Sequence, residues 1–281
     1  MTIAVTAASG KLGGEVVRAL QRKITGQTVI GLARTVERAG GLGIDVRPGD
    51  YDDRSQLETS LEGVDTLLLV SGMARPEDRV QQHLNVLSAA SAAGVTKVVY
   101  TSIQGAEEGT AFSPIVGSNR STERDVRESG LDWVIGRNGI YIEPDIEYVD
   151  SYAASGEIAN CAANGRCGYT TYRDLADAYA SLLTDERHNG KTYNLHGEAI
   201  TQTQLASYLS QTFEADISFR SMPVDDYRAQ RVDELGEFIG TVIGGIYEGI
   251  RNGAMDNPSD YQVAAGRPHR TWPEYFESLQ N

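Results

Sequence analysis

The chain has 281 residues, of which 40% are hydrophobic, and a formal net charge of −14 at pH 7. This length suits one α/β domain with an appended lobe. No basic stripe of Lys and Arg is present, which argues against nucleic-acid binding, because that binding requires cations that neutralise phosphates. No apolar run approaches the roughly 20 residues of a membrane span. Strand-like residues begin at once, so we predict no signal peptide and expect a cytoplasmic protein.

The first thirty-four residues have the layout of a dinucleotide-binding βαβ unit. An apolar strand at 3–6 leads into a glycine-containing turn, a helix is predicted over 11–23, and a second strand spans 28–33. Gly10 and Gly13 lack a Cβ, so the backbone can approach a pyrophosphate closely. The helix N-terminus favours the phosphate charge. Ala7 replaces the usual first glycine, which is tolerable only if this position does not need a positive φ.

Arg34 follows the second strand, where NAD-preferring sites place Asp or Glu. A carboxylate repels a 2′-phosphate, whereas a guanidinium binds it with a fork of charged donors. We therefore predict NADP(H) as the cofactor, with Arg34 as the main discriminator and Lys11 and Arg38 as helpers. The alternative is that Arg34 is a solvated residue at a strand end.

Strands and helices alternate up to Asn138. Strands are predicted near 45–47 and over 64–70, 96–102 and 131–137, and helices through Leu57 and Leu61, over about 75–93 and over about 114–129. The run at 64–70 is apolar throughout, as in a strand buried on both faces of a parallel sheet. This alternation predicts an α/β doubly wound parallel sheet, a Rossmann fold, whose NAD(P)-binding core spans residues 1–138.

Beyond Asn138 the alternation ceases. Residues 139–281 are predicted to form a smaller C-terminal α/β lobe that covers the substrate and shares elements with the core. A helix at 174–183, a strand at 191–195 and a capped helix from Thr201 to Phe213 are predicted there. Apolar residues at helical spacing between Gly236 and Gly253 indicate a buried or interface helix. That helix is our candidate contact for a homodimer.

Cysteine and histidine usage predicts no metal site. Cys161 and Cys167 do not have the spacing of zinc ligands, and no histidine cluster lies near them. We therefore expect two reduced thiols. His83 falls on a predicted helix facing the sheet, and we interpret it as a hydrogen-bonded structural residue rather than a catalytic one.

Several short motifs together resemble the NmrA-like, atypical branch of the short-chain dehydrogenase/reductase superfamily, and within it the group of type 2 quinone oxidoreductases and triphenylmethane reductases. The resemblance covers nearly the whole chain. The matching segments are TAASGKLG at 6–13, GDY at 49–51, QH at 82–83 with NV at 85–86, AGV at 93–95, YTS at 100–102, RNG at 137–139, GKTYNL at 190–195 and GRP at 266–268. The resemblance implies an NADPH-dependent oxidoreductase that transfers hydride to a quinone-like or other conjugated small-molecule acceptor.

The resemblance also implies where the cofactor lies. Phosphates would lie at the first turn, adenine at 50–51, the middle of the cofactor at 70–72, and the nicotinamide near 101–102 and 138–141. The implied cofactor-binding residues are Thr6, Ala8, Ser9, Gly10, Lys11, Leu12, Arg34, Asp50, Tyr51, Val70, Ser71, Gly72, Thr101, Ser102, Asn138 and Gly139. The catalytic candidates are Arg124, Asn138 and Tyr141, and Tyr148, Tyr152 and Tyr172 are further candidates for an aromatic acceptor pocket.

The chain departs from the YxxxK pair that better-known members of the superfamily carry. No Tyr has Lys four residues later, and the corresponding helix has Asn119 and Arg124. Arginine is a poor proton donor, although it can hydrogen-bond a ribose. This favours quinone or dye reduction, in which the product oxyanion is a stabilised phenolate and water delivers the proton. Glu123 is interpreted as a solvated helical partner of Arg124.

A second interpretation stays open. The family also contains non-catalytic NADP(H)-sensing regulators that act through a protein partner. The missing Tyr and Lys are compatible with that role, and the fold alone does not distinguish the two.

Overall fold

The computed structural model describes residues 1–280. The strands are β1 (Thr2–Val5), β2 (Thr28–Ala33), β3 (Asp45–Pro48), β4 (Thr66–Val70), β5 (Lys97–Ile103), β6 (Asp132–Asn138), β7 (Ile140–Tyr141), β8 (Glu157–Asn160), β9 (Arg166–Thr170), β10 (Lys191–Leu195), β11 (Ala199–Thr201) and β12 (Ser218–Ser221). The helices are α1 (Lys11–Lys23), α2 (Arg54–Ser60), α3 (Pro76–Ala92), α4 (Ser113–Glu128), α5 (Glu143–Glu147), α6 (Val149–Ser155), α7 (Tyr172–Thr184), α8 (Gln202–Phe213), α9 (Val224–Leu235), α10 (Glu237–Arg251), α11 (Tyr261–Ala265) and α12 (Trp272–Glu277). Two 3-10 helices span Val36–Leu42 and Glu186–His188.

A seven-stranded parallel sheet forms the centre of the fold, in the order β10-β6-β5-β4-β1-β2-β3. Its residues are apolar on both faces because helices cover both. Val5 and Leu68 face a core shared with α1 and α7, whereas Leu67 and Leu69 face a core shared with α2, α3 and α4. Every residue of β4 is buried, as its unbroken apolar run predicts. The predicted doubly wound sheet is confirmed.

The second lobe is built from two small sheets, one ordered β11-β9-β7 and one pairing β12 with β8. It has its own core, which includes Tyr169, Leu205 and Trp272. β10 belongs to the later half of the chain but pairs with β6 in the main sheet. The apolar face of α10, including Val242 and Ile246, packs against the core of this lobe.

The described part of the chain contains no helix long and apolar enough to cross a membrane. Over residues 1–280 there is also no group of three or more His, Cys, Asp or Glu side chains arranged to hold a metal ion. Cys161 and Cys167 are both buried and free.

Candidate functional site

The turn between β1 and α1 is tighter than its sequence indicates. Ala7 has φ +49°, in the left-handed region, so the condition under which a methyl group would be tolerable here is not met. The carbonyl oxygen of Ala7 accepts a hydrogen bond from the Gly10 N–H at 2.9 Å. A Cβ on Gly13 would lie 2.3 Å from the same oxygen, so only glycine fits there. The turn therefore brings α1 directly under the carboxyl end of β1.

The N-terminus of α1 is open. Gly10 is extended, no side chain caps the helix, and its first turn contains no acidic residue. Ala8, Ser9, Gly10 and Lys11 line a cavity of about 770 Å³, called here the turn cavity. Its wall also contains Arg18, Arg22 and Arg38, with Glu15 and Glu143. Uncapped N–H groups and nearby cations are the donor set that phosphates require.

Arg34 extends into solvent at the end of β2. It is exposed and forms no hydrogen bond or ion pair with any residue in the described range 1–280. It does not line the turn cavity, whereas Arg38, four residues later, does. Lys11 differs from both, because it forms an ion pair with Glu147 and lies 5.9 Å from the centre of the Tyr172 ring. The structure thus leaves Arg34 available for an anion.

Thr6, Tyr51 and Val70 are joined by hydrogen bonds. The Tyr51 hydroxyl donates to the Val70 carbonyl at 2.8 Å and hydrogen-bonds to the Thr6 hydroxyl at 2.5 Å. The Thr6 hydroxyl also accepts from the Val70 N–H at 2.9 Å. Burial raises the pKa of Tyr51. Two of these predicted cofactor residues, Thr6 and Tyr51, therefore use their polar atoms to fix the strand ends and line neither cavity.

A second cavity, of about 620 Å³, lies beyond the carboxyl ends of β4, β5 and β6, and is called here the strand-end cavity. It brings together seven of the sixteen predicted cofactor-binding residues, one of which (Asn138) is also a catalytic candidate, and a second catalytic candidate, Tyr141. These are Val70, Ser71, Gly72, Thr101, Ser102, Asn138, Gly139 and Tyr141. Ligands bind at this edge of open parallel sheets, so the position agrees with the rule for the fold.

The polar groups of the strand-end cavity are held by neighbours. Asn138 Oδ1 accepts from the Tyr179 hydroxyl at 2.5 Å, and Asn138 Nδ2 donates to the Tyr141 hydroxyl at 3.3 Å. Burial raises the pKa of Tyr141 to about 12, so the phenol stays neutral. A Cβ on Gly139 would lie 2.3 Å from the Gly168 carbonyl oxygen, so the chain passes there only as glycine. Asn138 and Tyr141 are therefore presented in one fixed arrangement.

Asn119 lies in the cavity wall on α4. Its Oδ1 accepts from the Tyr100 hydroxyl at 2.7 Å and from the Ser71 hydroxyl at 3.1 Å. Its Nδ2 donates to the Ile115 carbonyl at 2.8 Å. Sequence reasoning missed Tyr100 because it lies inside a β-strand, where tyrosine is common for packing reasons alone.

Arg124 does not reach this cavity, which corrects its assignment as a catalytic residue. It is exposed on α4 and donates to the Ser121 hydroxyl at 2.9 Å. The helical period explains the difference, since positions 119 and 123 share the inward face and position 124 is turned away from it.

Glu123, which was expected to be solvated, is fully buried. It accepts from Arg120 at 2.7 Å, from Arg137 at 2.7 Å and from the Ser102 hydroxyl at 2.7 Å. Burial alone acts to raise the pKa of Glu123, but the hydrogen bonds and charges of the arginines and Ser102 lower it overall. The Ser102 hydroxyl is therefore engaged by this ion cluster on the side away from the cavity.

His83 has the structural role expected of it. Its Nε2 accepts from the Gly72 N–H at 3.0 Å, and its Nδ1 lies 2.8 Å from the Thr122 hydroxyl. Burial, with a smaller effect of Arg79, lowers the pKa of His83 to about 3. A neutral imidazole thus positions Gly72 in the cavity wall.

Besides Thr6, Arg34 and Tyr51, two further predicted cofactor residues lie outside both cavities. Leu12 is buried in the core against the sheet. Asp50 is half-buried at the end of β3, where its N–H donates to Gln56 Oε1 at 3.2 Å. Leu12 follows β1 and Asp50 follows β3, as predicted, but neither residue lines a cavity.

The outer wall of the strand-end cavity comes from the second lobe, and most of it was not predicted. Tyr148 and Tyr152 line it as expected, whereas Tyr172 lies against Tyr141 with ring centres 4.5 Å apart. Arg79, nine-tenths buried, was missed because it occurs in a polar helical stretch. The wall also contains Asp145, Tyr227, Phe238, Val242, Ile246 and Tyr247.

Comparison with known proteins agrees with this geometry. The model of a family described as NAD(P)H-binding matches residues 7–186. Quinone oxidoreductase 2 of Escherichia coli (strain K12) is 30% identical over 288 residues, covering 99% of each chain. The structure of the NADPH-dependent quinone oxidoreductase from Escherichia coli complexed with NADPH has a TM-score of 0.90 at 29% identity, covering 99% of this chain and 100% of that one. Triphenylmethane reductase from Citrobacter sp. complexed with NADP(H) has a TM-score of 0.89 at 30% identity, with coverage of 99% and 100%.

Proposed function

The chain belongs to the NAD(P)H-binding family, and from that premise we propose that it is an NADPH-dependent reductase of quinone-like or other conjugated acceptors. Its full-length similarity to such enzymes makes it an NAD(P)H-dependent oxidoreductase. We infer the preference for NADPH and the class of acceptor from the residues of the site.

The residues present fit an NADP(H) molecule. The uncapped N-terminus of α1 supplies N–H donors for a pyrophosphate, and no acidic residue of its first turn opposes that charge. Arg34 is free of protein partners in the described chain and follows β2, where it would bind the 2′-phosphate with Arg38. When bound, the reduced nicotinamide supplies a hydride.

The residues that line the strand-end cavity support a quinone-like acceptor. Asn138, Gly139 and Tyr141 form its inner wall, and tyrosine rings with the apolar face of α10 form its outer wall. Flat, mostly apolar walls with a few fixed polar groups suit a planar conjugated molecule. Asn119 and Glu123 occupy the inward positions of α4, so no Tyr–Lys pair is present to protonate an alkoxide. An electron-poor ring that accepts hydride as a stabilised phenolate fits such a site.

The test is oxidation of NADPH and of NADH against a panel of quinones, with cofactor affinity measured separately by calorimetry. We expect quinone-dependent oxidation with NADPH preferred. Tight NADPH binding without turnover of any acceptor would support the regulator interpretation instead. The absence of binding of either reduced cofactor would contradict both.

A further inference from the structure

One carboxyl group lies in the wall of the strand-end cavity without a cationic partner. Asp145 is the third residue of α5, close after β7, and only 5% of its surface is exposed. Its Oδ1 accepts from the Tyr152 hydroxyl at 3.0 Å, whereas its Oδ2 has no hydrogen-bond partner among residues 1–280. The other two carboxylates of this wall, Glu157 and Glu234, are each paired with an arginine. Asp145 therefore keeps one oxygen free on the cavity side.

The groups that face Asp145 are neutral. Burial raises the pKa of Tyr152 and of Tyr227, and the charge of Arg231 on α9 acts to lower both, but Arg231 forms no ion pair with Asp145. Glu143, on the same helix as Asp145, accepts a hydrogen bond from the Tyr172 N–H and lines the turn cavity instead. Tyr152 from α6 hydrogen-bonds to Asp145, and Tyr227 from α9 and Tyr247 from α10 line the same cavity. Burial raises the pKa of Cys167 and of Tyr169, both on β9, and the charge of Asp145 also contributes to that rise. Burial raises the pKa of Asp145 to about 6, and the hydrogen bond from Tyr152 limits that rise.

A purely structural role does not require a carboxyl here. An amide would accept the Tyr152 hydrogen bond equally well without the cost of ionisation in an apolar site. A buried carboxyl that holds its proton close to neutral pH, with one oxygen open to a cavity, has the properties of a general acid.

We propose that Asp145 is the proton donor to the acceptor, a role that rests on the proposed function. When a quinone takes up a hydride, one of its oxygens becomes anionic. The O–H bond of Asp145 Oδ2 then breaks and an O–H bond forms on the product, so that hydride and proton together complete the hydroquinone. The Tyr152 hydroxyl, which donates to Oδ1, stabilises the carboxylate left behind. Solvent returns the proton past Tyr148, which is 46% exposed at the cavity mouth.

Reduction rates with two classes of acceptor distinguish a proton-donating role of Asp145 from a purely structural one. A para-quinone needs a proton as well as a hydride, whereas a cationic triarylmethane dye takes a hydride at its central carbon and becomes neutral without a proton. In Asp145→Asn we expect single-turnover quinone reduction to slow by roughly 100-fold, in the range of general acid catalysis. Dye reduction and NADPH affinity should stay within about twofold of wild type. An equal loss with both acceptors, or no loss with the quinone, overturns the proposal.

The pH dependence supplies a second readout. The protonated carboxyl is the active form, so wild-type quinone reduction should slow as the pH rises through about 6. Tyr152→Phe removes the hydrogen bond that favours the ionised form, so it should move this decline to higher pH. Asp150→Asn makes the same substitution at an exposed carboxyl of α6 and should change neither acceptor's rate. An unmoved decline in Tyr152→Phe counts against Asp145 as the donor.

A measurement without cofactor distinguishes failure of this inference from failure of the proposed function. Infrared difference spectra, wild type minus Asp145→Asn, should show the carbonyl stretch of a protonated carboxyl at pH 5 that is lost at pH 8. The absence of that band at pH 5 refutes the donor even if quinones are reduced. A wild type that oxidises NADPH with neither acceptor refutes the proposed function, whatever the spectrum shows.

Discussion

Because Asp145 is buried, its ionisation should lower the free energy of unfolding as the pH rises, and the uncharged Asp145→Asn variant should not show this loss. The pKa of this carboxyl is raised from 3.8, ordinary for aspartate, to about 6 in the folded protein. At about 1.36 kcal/mol per pH unit, the difference corresponds to about 3 kcal/mol. The folded protein holds this proton more tightly than the unfolded chain does. The protonated carboxyl therefore adds to the free energy of unfolding in full below the unfolded pKa, and this added stability is lost as the pH rises through about 6.

The perturbation is Asp145→Asn, and the measured quantity is the free energy of unfolding in urea between pH 4.5 and pH 8. Subtracting wild type from variant at each pH cancels the titrations that the two proteins share. The variant should gain about 2 kcal/mol relative to wild type across this range, since the remaining third of the effect falls below pH 4.5. The gain should level off above pH 7.

The matched control is Asp150→Asn, which makes the same substitution at an exposed position of α6. Its difference from wild type should be small throughout this pH range, because the side chain is exposed on the surface of α6. A variant–wild type difference for Asp145→Asn that stays constant from pH 4.5 to pH 8 would refute the reasoning. Such a result would mean that the carboxyl is solvated as freely in the folded protein as in the unfolded chain.

Three further changes test other parts of the structure. Glu123→Gln should lower the free energy of unfolding by about 3 kcal/mol, because it leaves the buried Arg120 and the half-buried Arg137 without their counter-charge. The exposed Glu128→Gln on the same helix should have little effect. Gly13→Ala should lower the free energy of unfolding by about 3 kcal/mol, since its Cβ would lie 2.3 Å from a backbone oxygen. Gly117→Ala on α4, where a Cβ would meet nothing within 4 Å, should raise the free energy of unfolding by about 0.5–1 kcal/mol. Similar urea midpoints for the two variants would contradict this expectation. Arg34→Asp should weaken NADPH binding by about 1.5–3 kcal/mol more than NADH binding in calorimetry, and equal losses for both cofactors would remove Arg34 from the site.

The main sheet was predictable because its signals are local. An apolar run such as β4 reveals a buried parallel strand, and the helices between such runs have clear periods, so α1 and β10 have the predicted bounds. The carboxyl ends of the strands follow from the same pattern. This is why residues 70–72, 101–102 and 138–139 were expected at one edge of the sheet, where the strand-end cavity lies.

The errors arose where distant residues decide the outcome. α4 is polar in sequence, yet it buries Glu123 because Arg137, on the neighbouring strand β6, supplies a partner that no local pattern shows. Ala7 takes a positive φ because α1 must pass close beneath β1, a tertiary requirement that overrides the preference of alanine. Asp145 was not among the candidates from the sequence, because its burial in a wall shared with residues of α9 and α10 depends on elements remote in sequence.

The two walls of the strand-end cavity differ in how firmly they are held, and this difference has consequences for specificity. The inner wall is fixed by hydrogen bonds, as in the contact of Asn138 with Tyr179 and that of the Ser71 N–H with Thr101 Oγ1 at 2.8 Å. The outer wall is held by apolar contacts such as those of Val242 and Ile246, which tolerate volume-conserving changes. Substitutions on α10 should therefore alter which acceptor is reduced while leaving the cofactor geometry in place. Asp145 joins the two walls, since α5 follows the inner strand and its carboxyl accepts a hydrogen bond from Tyr152 of the outer wall.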